Sequence, residues 1–440
     1  MKMKILLLLG FVAFESTSAQ DTLKLKLQEA MDSAMKNNKE IELARLDEKT
    51  AAALFNQTKA VFLPQVNLSY TAAVTNNPLN AFAFKLQQQS VSSSDFDSRL
   101  LNSPSTTQNY MTKVEWNQPL LNLDLVYQRR AADQQMDVRY YKTERTKEYV
   151  MFEVQKAYAQ LQLAHQSVIV LKEALETVNS IFLSSKNYFE KGYLKKSDLL
   201  AAQVQVASTE SKLAQARSNV CNASDYISVL MGTKSRCIYL VEPLEKVKET
   251  ESFETLVPED RADFKALNSA LRAQATMINS AKMSRLPRLN AFANYMFNDK
   301  TVFGFGSDSY LLGAQFTWTL FNGTASYHRT AEQKIAHARI EQQISYQKEQ
   351  SQFELNKTFR QLTDNEFALQ QYQASVGQAA EALRILQNRF EQGMASTDDL
   401  LRSQSTLSEQ KLLLTETVFK YNTTLAYLHF LTSTSENNFE

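Results

Sequence analysis

The stretch that decides the fold is 388-NRFEQGMASTDDLLRSQ-404, because a second copy, 187-NYFEKGYLKKSDLLAAQ-203, lies 201 residues earlier in the chain. In each copy a helix-favouring sequence runs into a single glycine, Gly192 or Gly393. Glycine suits the left-handed conformation that commonly follows the end of a helix. Each copy therefore predicts a tight turn, and we call these turns the first tip and the second tip.

The residues after each glycine predict the start of a new helix. At the first tip they are Ser197 and Asp198, and at the second tip Thr397, Asp398 and Asp399. A hydroxyl can accept hydrogen bonds from the first amides of a helix, and a carboxylate interacts favourably with its positive end. Each tip therefore joins two helices into a hairpin.

Apolar residues flank both tips at the a and d positions of unbroken heptads. Examples are Val154, Leu161, Leu171, Val178, Ala202, Leu213, Val220 and Ile227 around the first tip, and Leu355, Leu362, Leu369, Leu383, Leu400, Leu407, Tyr421 and Leu428 around the second. Heptads on both sides of a short turn predict antiparallel coiled coils. No proline or glycine interrupts residues 123–191. This segment can form one helix of about 100 Å, at about 1.5 Å per residue.

The N-terminal sequence, 1-MKMKILLLLGFVAFESTSAQ-20, predicts a secretory signal peptide over residues 1–19. Two lysines precede an apolar run that is too short to span a membrane, and small residues lead to Ala19. Ala19 is not followed by cysteine, so we expect an exported protein without a lipid anchor. Elsewhere no apolar run approaches the roughly 18 residues of a membrane helix, so any membrane segment must consist of strands.

Four segments alternate between apolar and more polar residues, which predicts strands. The first carries Val66, Leu68, Tyr70, Ala72 and Val74 on one side and Gln65, Asn67, Ser69, Thr71 and Ala73 on the other. The others begin at Tyr110, Leu289 and Tyr310. A strand with two unlike faces lies between two unlike solvents, so we expect four membrane strands. Residues 76–109 are rich in Ser, Asn and Gln and predict a long external loop.

These elements divide the mature chain into two similar halves. We expect N-terminal helices in residues 20–62, the first strand pair and its external loop in 63–122, the first long helical hairpin in 123–231, an equatorial connector in 232–258, a helix in 259–286, the second strand pair in 287–322, the second long hairpin in 323–431 and a tail in 432–440. The predicted fold is mainly α with membrane β. Each protomer contributes four barrel strands and a long antiparallel coiled-coil tunnel.

Four strands cannot close a barrel, and hydrocarbon does not tolerate exposed strand edges. The barrel must therefore be shared between chains. Two chains would give eight strands, whose interior side chains fill, whereas three would give twelve strands and space for water. The polar strand faces favour the water-filled arrangement, so we expect a homotrimer with a twelve-stranded barrel in membrane lipid.

Charge and motifs exclude several functions. The 48 basic and 47 acidic residues leave a formal charge of +1, which argues against a nucleic-acid partner. The four histidines show no metal-ligand spacing, and no nucleophile and base pattern or phosphate loop is present. We therefore expect no enzyme activity, no cofactor and no metal site.

The chain contains two cysteines, Cys221 and Cys237, on either side of Gly232. In an oxidising compartment they can close a short loop as a disulfide, which the chain-entropy model values at about 3 kcal/mol. They can equally remain two separate thiols. We expect the disulfide.

Three sets of residues resemble the TolC-like outer-membrane efflux protein family. They are the Phe-Glu-x-Gly tips followed by Asp-Leu-Leu, the Leu-Pro-x-x-Asn sequences at 63–67 and 286–290, and Trp-Thr-Leu-Phe-Asn-Gly at 318–323. The resemblance covers essentially the whole mature chain. It implies a homotrimeric exit duct in the outer membrane of a Gram-negative bacterium, with a large periplasmic part. It also implies a periplasmic adaptor and an inner-membrane pump of RND or ABC type, serving efflux or type I secretion.

The resemblance implies that acidic residues after the second tip glycine ring a closed aperture. Asp399 occupies the first such position, but Arg402 occupies the second, which departs from a purely acidic ring. Phe390 fits the aperture and fits equally the coiled-coil core, which we prefer. Asp399 can also be an ordinary acid at the start of a helix.

The resemblance further implies that the tips dock to the adaptor, through Gly192, Asp198, Gly393 and Asp398. A different function stays open at this point. Coiled coils also serve as stalks in structural or adhesive surface proteins, but a stalk predicts no two-faced strands.

Overall fold

The computed structural model describes residues 22–234, 238–248 and 255–433. The predicted signal peptide and most of the predicted C-terminal tail lie outside these residues. The chain divides into two compact units. The helical unit comprises the described residues of Met1–Leu43, Thr146–Pro258 and Ser351–Glu440, and the sheet unit comprises Ala44–Arg145 and Glu259–Gln350.

The long helices, the two tips and the four longer strands follow the duplicated order that the sequence predicts, and four short elements of the described chain are additional. In chain order the elements are β1 (Thr22–Lys24), α1 (Leu27–Asn37), α2 (Lys39–Gln57), β2 (Gln65–Thr75), α3 (Pro78–Gln87), α4 (Ser98–Asn102), β3 (Thr107–Leu121), α5 (Leu123–Glu190), α6 (Lys196–Leu230), β4 (Ile238–Leu240), α7 (Ala262–Met283), β5 (Arg288–Asp299), β6 (Ser307–Thr317), α8 (Ala325–Glu391) and α9 (Thr397–Thr432). The long helices α5 and α8 contain 68 and 67 residues, and neither contains a proline. Each is followed by a tip and a second helix.

The a and d residues form the core of the helical unit. Those named above are buried, and others of the same heptads, such as Val206 and Leu386, are half-buried, which confirms the coiled-coil prediction. A cluster near the tips joins both hairpins and contains Val178, Ile181, Ala202, Leu383, Phe390, Leu400, Leu401 and Leu407. Burying one such aliphatic or aromatic side chain stabilises a fold by about 1.5–3 kcal/mol, whereas an exposed ion pair contributes about 0–1 kcal/mol. Apolar packing therefore fixes the tips.

A short parallel sheet of β1 and β4 is a feature that the sequence did not predict. Leu23 pairs with Tyr239, and the Leu25 amide donates to the Leu240 carbonyl at 2.9 Å. The Tyr158 hydroxyl on α5 then donates to the Leu25 carbonyl at 3.1 Å. Three-residue strands are too short to show a periodic pattern, so the sequence indicated a helix and a connector here. The pairing ties the connector to the first helical hairpin.

The sheet unit contains an antiparallel sheet in the order β2-β3-β5-β6. Its register joins Leu68 to Val114, Val114 to Tyr295, and Tyr295 to Tyr310. Paired residues share a face. The apolar face therefore also carries Val66, Tyr70, Val74, Trp116, Ala293, Phe297, Leu312 and Phe316, and the polar face carries Gln65, Asn67, Ser69, Thr71, Lys113, Glu115, Asn294 and Gln315. The predicted alternation thus extends across all four strands.

The segment between β2 and β3 differs from the long loop that the sequence predicts. It contains α3, a 3-10 turn at Ser93–Phe96, and α4. Asn77 caps α3 by accepting a hydrogen bond from the Asn80 amide at 3.2 Å, and Pro78 occupies the first helical turn. Asn followed by Pro is a helix-start signal. The polar composition of the whole segment concealed this local signal.

An ion pair closes this segment on itself. The Lys85 ammonium lies 2.6 Å from the Asp95 carboxylate. Its hydrogen bond, together with those from Ser92, lowers the pKa of Asp95 from 3.8 to about 2. The carboxylate therefore stays charged, and the ion pair persists, until the pH falls well below 3.8.

Two glycines of α8 and its tip provide a direct test of the turn. Gly393 has φ +75°, whereas Gly377 lies within α8, and an added Cβ would meet no atom within 4 Å at either position. Alanine substitutions at Gly377 and Gly393 therefore differ only in the backbone conformation that the new residue must adopt. Gly393→Ala should cost about 1–2 kcal/mol because it forces alanine into the left-handed region. Gly377→Ala should stabilise the helix by about 0.5–1 kcal/mol. Thermal unfolding by circular dichroism should move in opposite directions, and equal shifts of one sign would contradict this account.

Candidate functional site

Both tips end their first helix with the same backbone arrangement. At the first tip the Gly192 amide donates to the Phe189 carbonyl and the Tyr193 amide to the Tyr188 carbonyl, each at 2.9 Å. Gly192 has φ +83°. At the second tip the corresponding hydrogen bonds are Gly393 to Phe390 at 2.9 Å and Met394 to Arg389 at 2.8 Å. This pair of hydrogen bonds is the Schellman motif. The motif requires a residue in the left-handed conformation, which explains why glycine occurs at the same position of both tips.

The two tips start their second helix differently. At the second tip Ser396 is the cap: its hydroxyl accepts from the Asp399 amide at 3.1 Å, and the Asp399 carboxylate accepts from the Ser396 amide at 3.1 Å. This reciprocal arrangement is a capping box. At the first tip Lys195 occupies the cap position and provides no side-chain cap. The second tip therefore has the better-defined helix start.

The structure corrects the predicted caps. Ser197 is the second residue of α6 and Thr397 is the first residue of α9, so neither occupies the cap position, which belongs to Lys195 and Ser396. The Ser197 hydroxyl donates to the Asp198 carboxylate at 3.0 Å instead. The buried Thr397 hydroxyl lies 3.3 Å from that of Ser185 on α5. Thr397 thus joins the two hairpins rather than capping its own helix.

Asp399 is already engaged within its own chain. Its carboxylate accepts from the Ser396 hydroxyl at 2.7 Å. The hydrogen bonds from the Ser396 hydroxyl and amide, assisted by the charges of Arg402 and Arg389, hold the pKa of Asp399 below its usual range. The carboxylate is nevertheless exposed and carries its charge at neutral pH. It can therefore cap the helix and still present a negative charge to solvent.

Arg402 pairs with Asp398 rather than with Asp399. The Arg402 guanidinium nitrogen Nε lies 2.6 Å from the Asp398 carboxylate, and both side chains are exposed. The pair spans one helical turn. Arg402 thus lies close to Asp399 but forms its ion pair with Asp398.

Phe390 belongs to the apolar core. It is buried, and its ring packs edge to face against Tyr188 at a centroid distance of 5.6 Å. It lies in the cluster that joins the two hairpins. This position agrees with the preferred interpretation of Phe390 as a core residue.

Further polar contacts hold the two hairpins together near the tips. Gln205 on α6 donates to the Ser405 hydroxyl on α9 at 2.9 Å. Lys411 on α9 lies 2.7 Å from the Glu173 carboxylate on α5. The tips are thus held in a fixed arrangement by four helices.

Each tip carries an exposed residue that was not among the residues predicted from the sequence. Tyr193 and Met394 directly follow the two tip glycines, and both side chains are exposed. A large apolar residue at the same position of both copies was the available signal. Exposed tyrosine and methionine are typical of surfaces that bind other proteins.

The remaining predictions concern the cysteines, the histidines and membrane-spanning helices. Cys221 is half-buried, but Cys237 lies outside the described residues, so the disulfide stays a prediction. His165 contacts the Tyr239 carbonyl at 2.8 Å. Within residues 22–234, 238–248 and 255–433, no group of three or more metal-binding side chains occurs. In the same part of the chain no helix has the length and hydrophobicity of a membrane span.

Part of the sequence matches a known protein family, and the fold is similar to solved structures. Residues 30–233 match the outer membrane efflux protein family. No curated protein matches the sequence significantly. The fold is similar to that of CusC, with a TM-score of 0.77 and 15% identity over 93% of this chain and 92% of CusC.

Two further channels have similar folds. The Campylobacter jejuni CmeC outer membrane channel gives a TM-score of 0.75 at 19% identity, over 92% of this chain and 85% of CmeC. The open state of the Neisseria gonorrhoeae MtrE outer membrane channel gives 0.72 at 15% identity, over 93% and 89%. The match over residues 30–233, the duplicated hairpins and the two-faced sheet together show the fold of the TolC-like outer membrane efflux channels.

Proposed function

We propose that three copies of this chain form the exit duct of an efflux or type I secretion system in the outer membrane. The duct conducts substrates passively and performs no chemistry. The observation that carries this proposal is the four-stranded sheet, which has one apolar face, one polar face and free outer edges on β2 and β6 within the described chain.

The free edges support assembly. Each unpaired backbone group costs several kcal/mol in hydrocarbon, so β2 and β6 require partner strands there. If β2 of one copy pairs with β6 of the next, three copies close a barrel of twelve strands. The apolar face then contacts lipid and the polar face lines the water-filled interior.

The tips support contact with protein partners. We assign the docking of a periplasmic adaptor to the two tips, shaped by Gly192 and Gly393 and carrying the exposed Tyr193 and Met394. Asp198 and Asp398 add charge beside them. An inner-membrane pump of RND or ABC type would supply the substrate and the energy. We propose no nucleic-acid partner.

The second tip supports an aperture. In a trimer, its capped helix start would present Asp399 of each copy, with Arg402 close by and Phe390 as the apolar support beneath. Three carboxylates in a narrow ring repel one another and attract cations. The single-chain geometry supports a charged Asp399, since its carboxylate is exposed and its pKa is lowered.

The alternative of a coiled-coil surface stalk is less well supported. A stalk explains the two helical hairpins, but it gives no reason for strands with an apolar and a polar face. Nor does it explain the outer membrane efflux match over residues 30–233.

The first test of this proposal concerns assembly. Because one chain leaves two strand edges unpaired, the detergent-extracted protein should have three times the mass of the mature chain by light scattering. Urea-unfolded protein provides the single-chain reference. A stable monomer that retains its strand signal in circular dichroism would contradict the shared barrel.

The second test separates charge from helix capping at the aperture. Asp198 and Asp399 occupy the same position of their helices, three residues after Lys195 and Ser396, which makes Asp198→Ala the matched control. Asp399→Ala should raise single-channel conductance and reduce cation preference, because it removes three charges from the ring. Asp198→Ala should leave both unchanged.

Ser396→Ala completes this experiment. It removes the cap that Ser396 shares with Asp399 but keeps the carboxylate. If the charge acts directly, Ser396→Ala should retain the wild-type cation preference in a planar bilayer. If it reproduces the effect of Asp399→Ala, the aspartate acts through the start of the helix and the aperture assignment is wrong.

A further inference from the structure

The loop between β5 and β6 is apolar where an external loop is expected to be polar. Residues 300–306 read KTVFGFG, and we call them the aromatic loop. Val302, Phe303 and Phe305 are exposed, and Phe303 keeps 71% of its surface open to its surroundings. A cluster of exposed apolar side chains requires a partner or an apolar solvent.

A single carboxylate holds the aromatic loop in shape. One Asp299 oxygen accepts from the Thr301 amide at 2.8 Å, and the other accepts from the Gly306 amide at 2.8 Å. A Cβ at Gly304 would clash with the Asp299 carboxyl group, so a larger residue there would displace the carboxylate from the loop. The apolar side chains are therefore displayed by a defined turn.

Phe303 is held in an unusual backbone conformation. Its φ of +56° lies in the region that favours glycine. Its amide donates to the Tyr70 hydroxyl at 3.0 Å, and its ring stacks on the Tyr70 ring at a centroid distance of 5.0 Å. Tyr70 belongs to β2, so the aromatic loop reaches past β3 to the far strand of the sheet.

The aromatic loop lies on the apolar face. Tyr70 pairs with Thr112 and Thr112 with Phe297, which places Tyr70 and Phe297 on this face. Phe305 packs edge to face on Phe297 at 5.3 Å. Both aromatic side chains of the loop therefore extend the surface that faces lipid in the proposed barrel.

The other external segment lies on the opposite face. After α3, the side-chain amide of Gln88 donates to the Asn109 side-chain oxygen at 3.0 Å, and the Asn109 side-chain nitrogen donates to the Asn298 side-chain oxygen at 2.9 Å. Both asparagines are on the polar face, by the register of β3 and β5. The Gln88 end of this segment therefore lies on the opposite face of the sheet from Phe303 and Phe305.

We propose that the aromatic loop is a lipid anchor, in which Phe303 and Phe305 insert into the outer leaflet at the boundary of headgroups and acyl chains. Aromatic rings are favourable at this depth, and a bent loop on the lipid side can reach it without breaking strand pairing. The inference rests on the proposed membrane placement of the sheet. It assigns to this loop a lipid contact in addition to that of the strands.

A neighbouring copy is the competing occupant, because Tyr70 lies on the edge strand β2. A copy paired at that edge could cover the Phe303 end of the aromatic loop. Phe305 packs on Phe297 of β5, which is separated from that edge by β3, so it lies farther from the neighbouring copy than Phe303 does. The whole loop is therefore better matched by lipid than by a second copy.

The test uses nitroxide spin labels on single cysteines, in a Cys221→Ser and Cys237→Ser background reconstituted into phospholipid vesicles. Phe303→Cys reports the aromatic loop. Leu79→Cys, on α3, is the matched control, with 79% exposure and a position in the polar-face segment. Leu68→Cys, in the middle of the apolar face with 74% exposure, reports whether the sheet itself lies in lipid.

Accessibility to oxygen, which concentrates in lipid, is compared with accessibility to a water-soluble nickel chelate. We expect the label at position 303 to be accessible to oxygen and protected from nickel, like the label at 68. The label at 79 should show the reverse. Val302→Cys repeats the measurement with Phe303 intact, in case the label at 303 alters the loop.

Each other outcome is decisive. Protection of positions 302 and 303 from both reagents means that a neighbouring copy covers the loop, and nickel access there means that it lies in water. Either result overturns the lipid anchor while leaving the barrel intact if position 68 remains in lipid. Nickel access at position 68 means that the membrane placement of the sheet has failed.

Discussion

Backbone hydrogen bonding at the sheet edges is the constraint on which the proposed assembly depends. Three ladders join β2, β3, β5 and β6, so the inner strands have both edges paired. The outer edges of β2 and β6 have no partner within the described chain. Water can satisfy such edges, but hydrocarbon cannot. In the proposed membrane placement the apolar face lies in hydrocarbon, and the edges then require further copies of the chain.

Duplication supplies two tips that share one turn but differ in the helix that follows. Both copies use glycine in the Schellman motif, because the left-handed residue is a geometric requirement of that turn. The helix starts have diverged: Ser396 and Asp399 form a capping box, whereas Lys195 does not cap. The two tips therefore differ in structure, which allows the second tip to form the proposed aperture while the first tip contacts only partner proteins.

The two external segments divide along the faces of the sheet. Polar side chains hold the segment with α3 against Asn109 on the polar face, and aromatic rings hold residues 300–306 against Tyr70 on the apolar face. The same strand alternation that separates water from lipid therefore also sorts the loops. Loop composition agrees with this division, since the first segment is rich in Ser, Asn and Gln and the second in Phe and Gly.

The sequence by itself determined the duplicated fold, the long helices, the two tips and the four two-faced strands. These features depend on periodicity and on glycine and proline, which act locally and repeat over many residues. Heptad residues such as Val154 and Leu355 were found at buried positions because a coiled-coil core follows directly from a period of 3.5.

Only the tertiary structure decided the features that depend on contacts between distant residues. The pairing of Leu23 with Tyr239, the Ser185 and Thr397 contact, and the stacking of Phe303 on Tyr70 each join residues more than 200 positions apart. No local pattern encodes such contacts, since each partner alone is compatible with several environments. The spacing of Asp399 likewise fits a pore acid and a helix cap, and only geometry showed that it forms the cap while its carboxylate stays exposed.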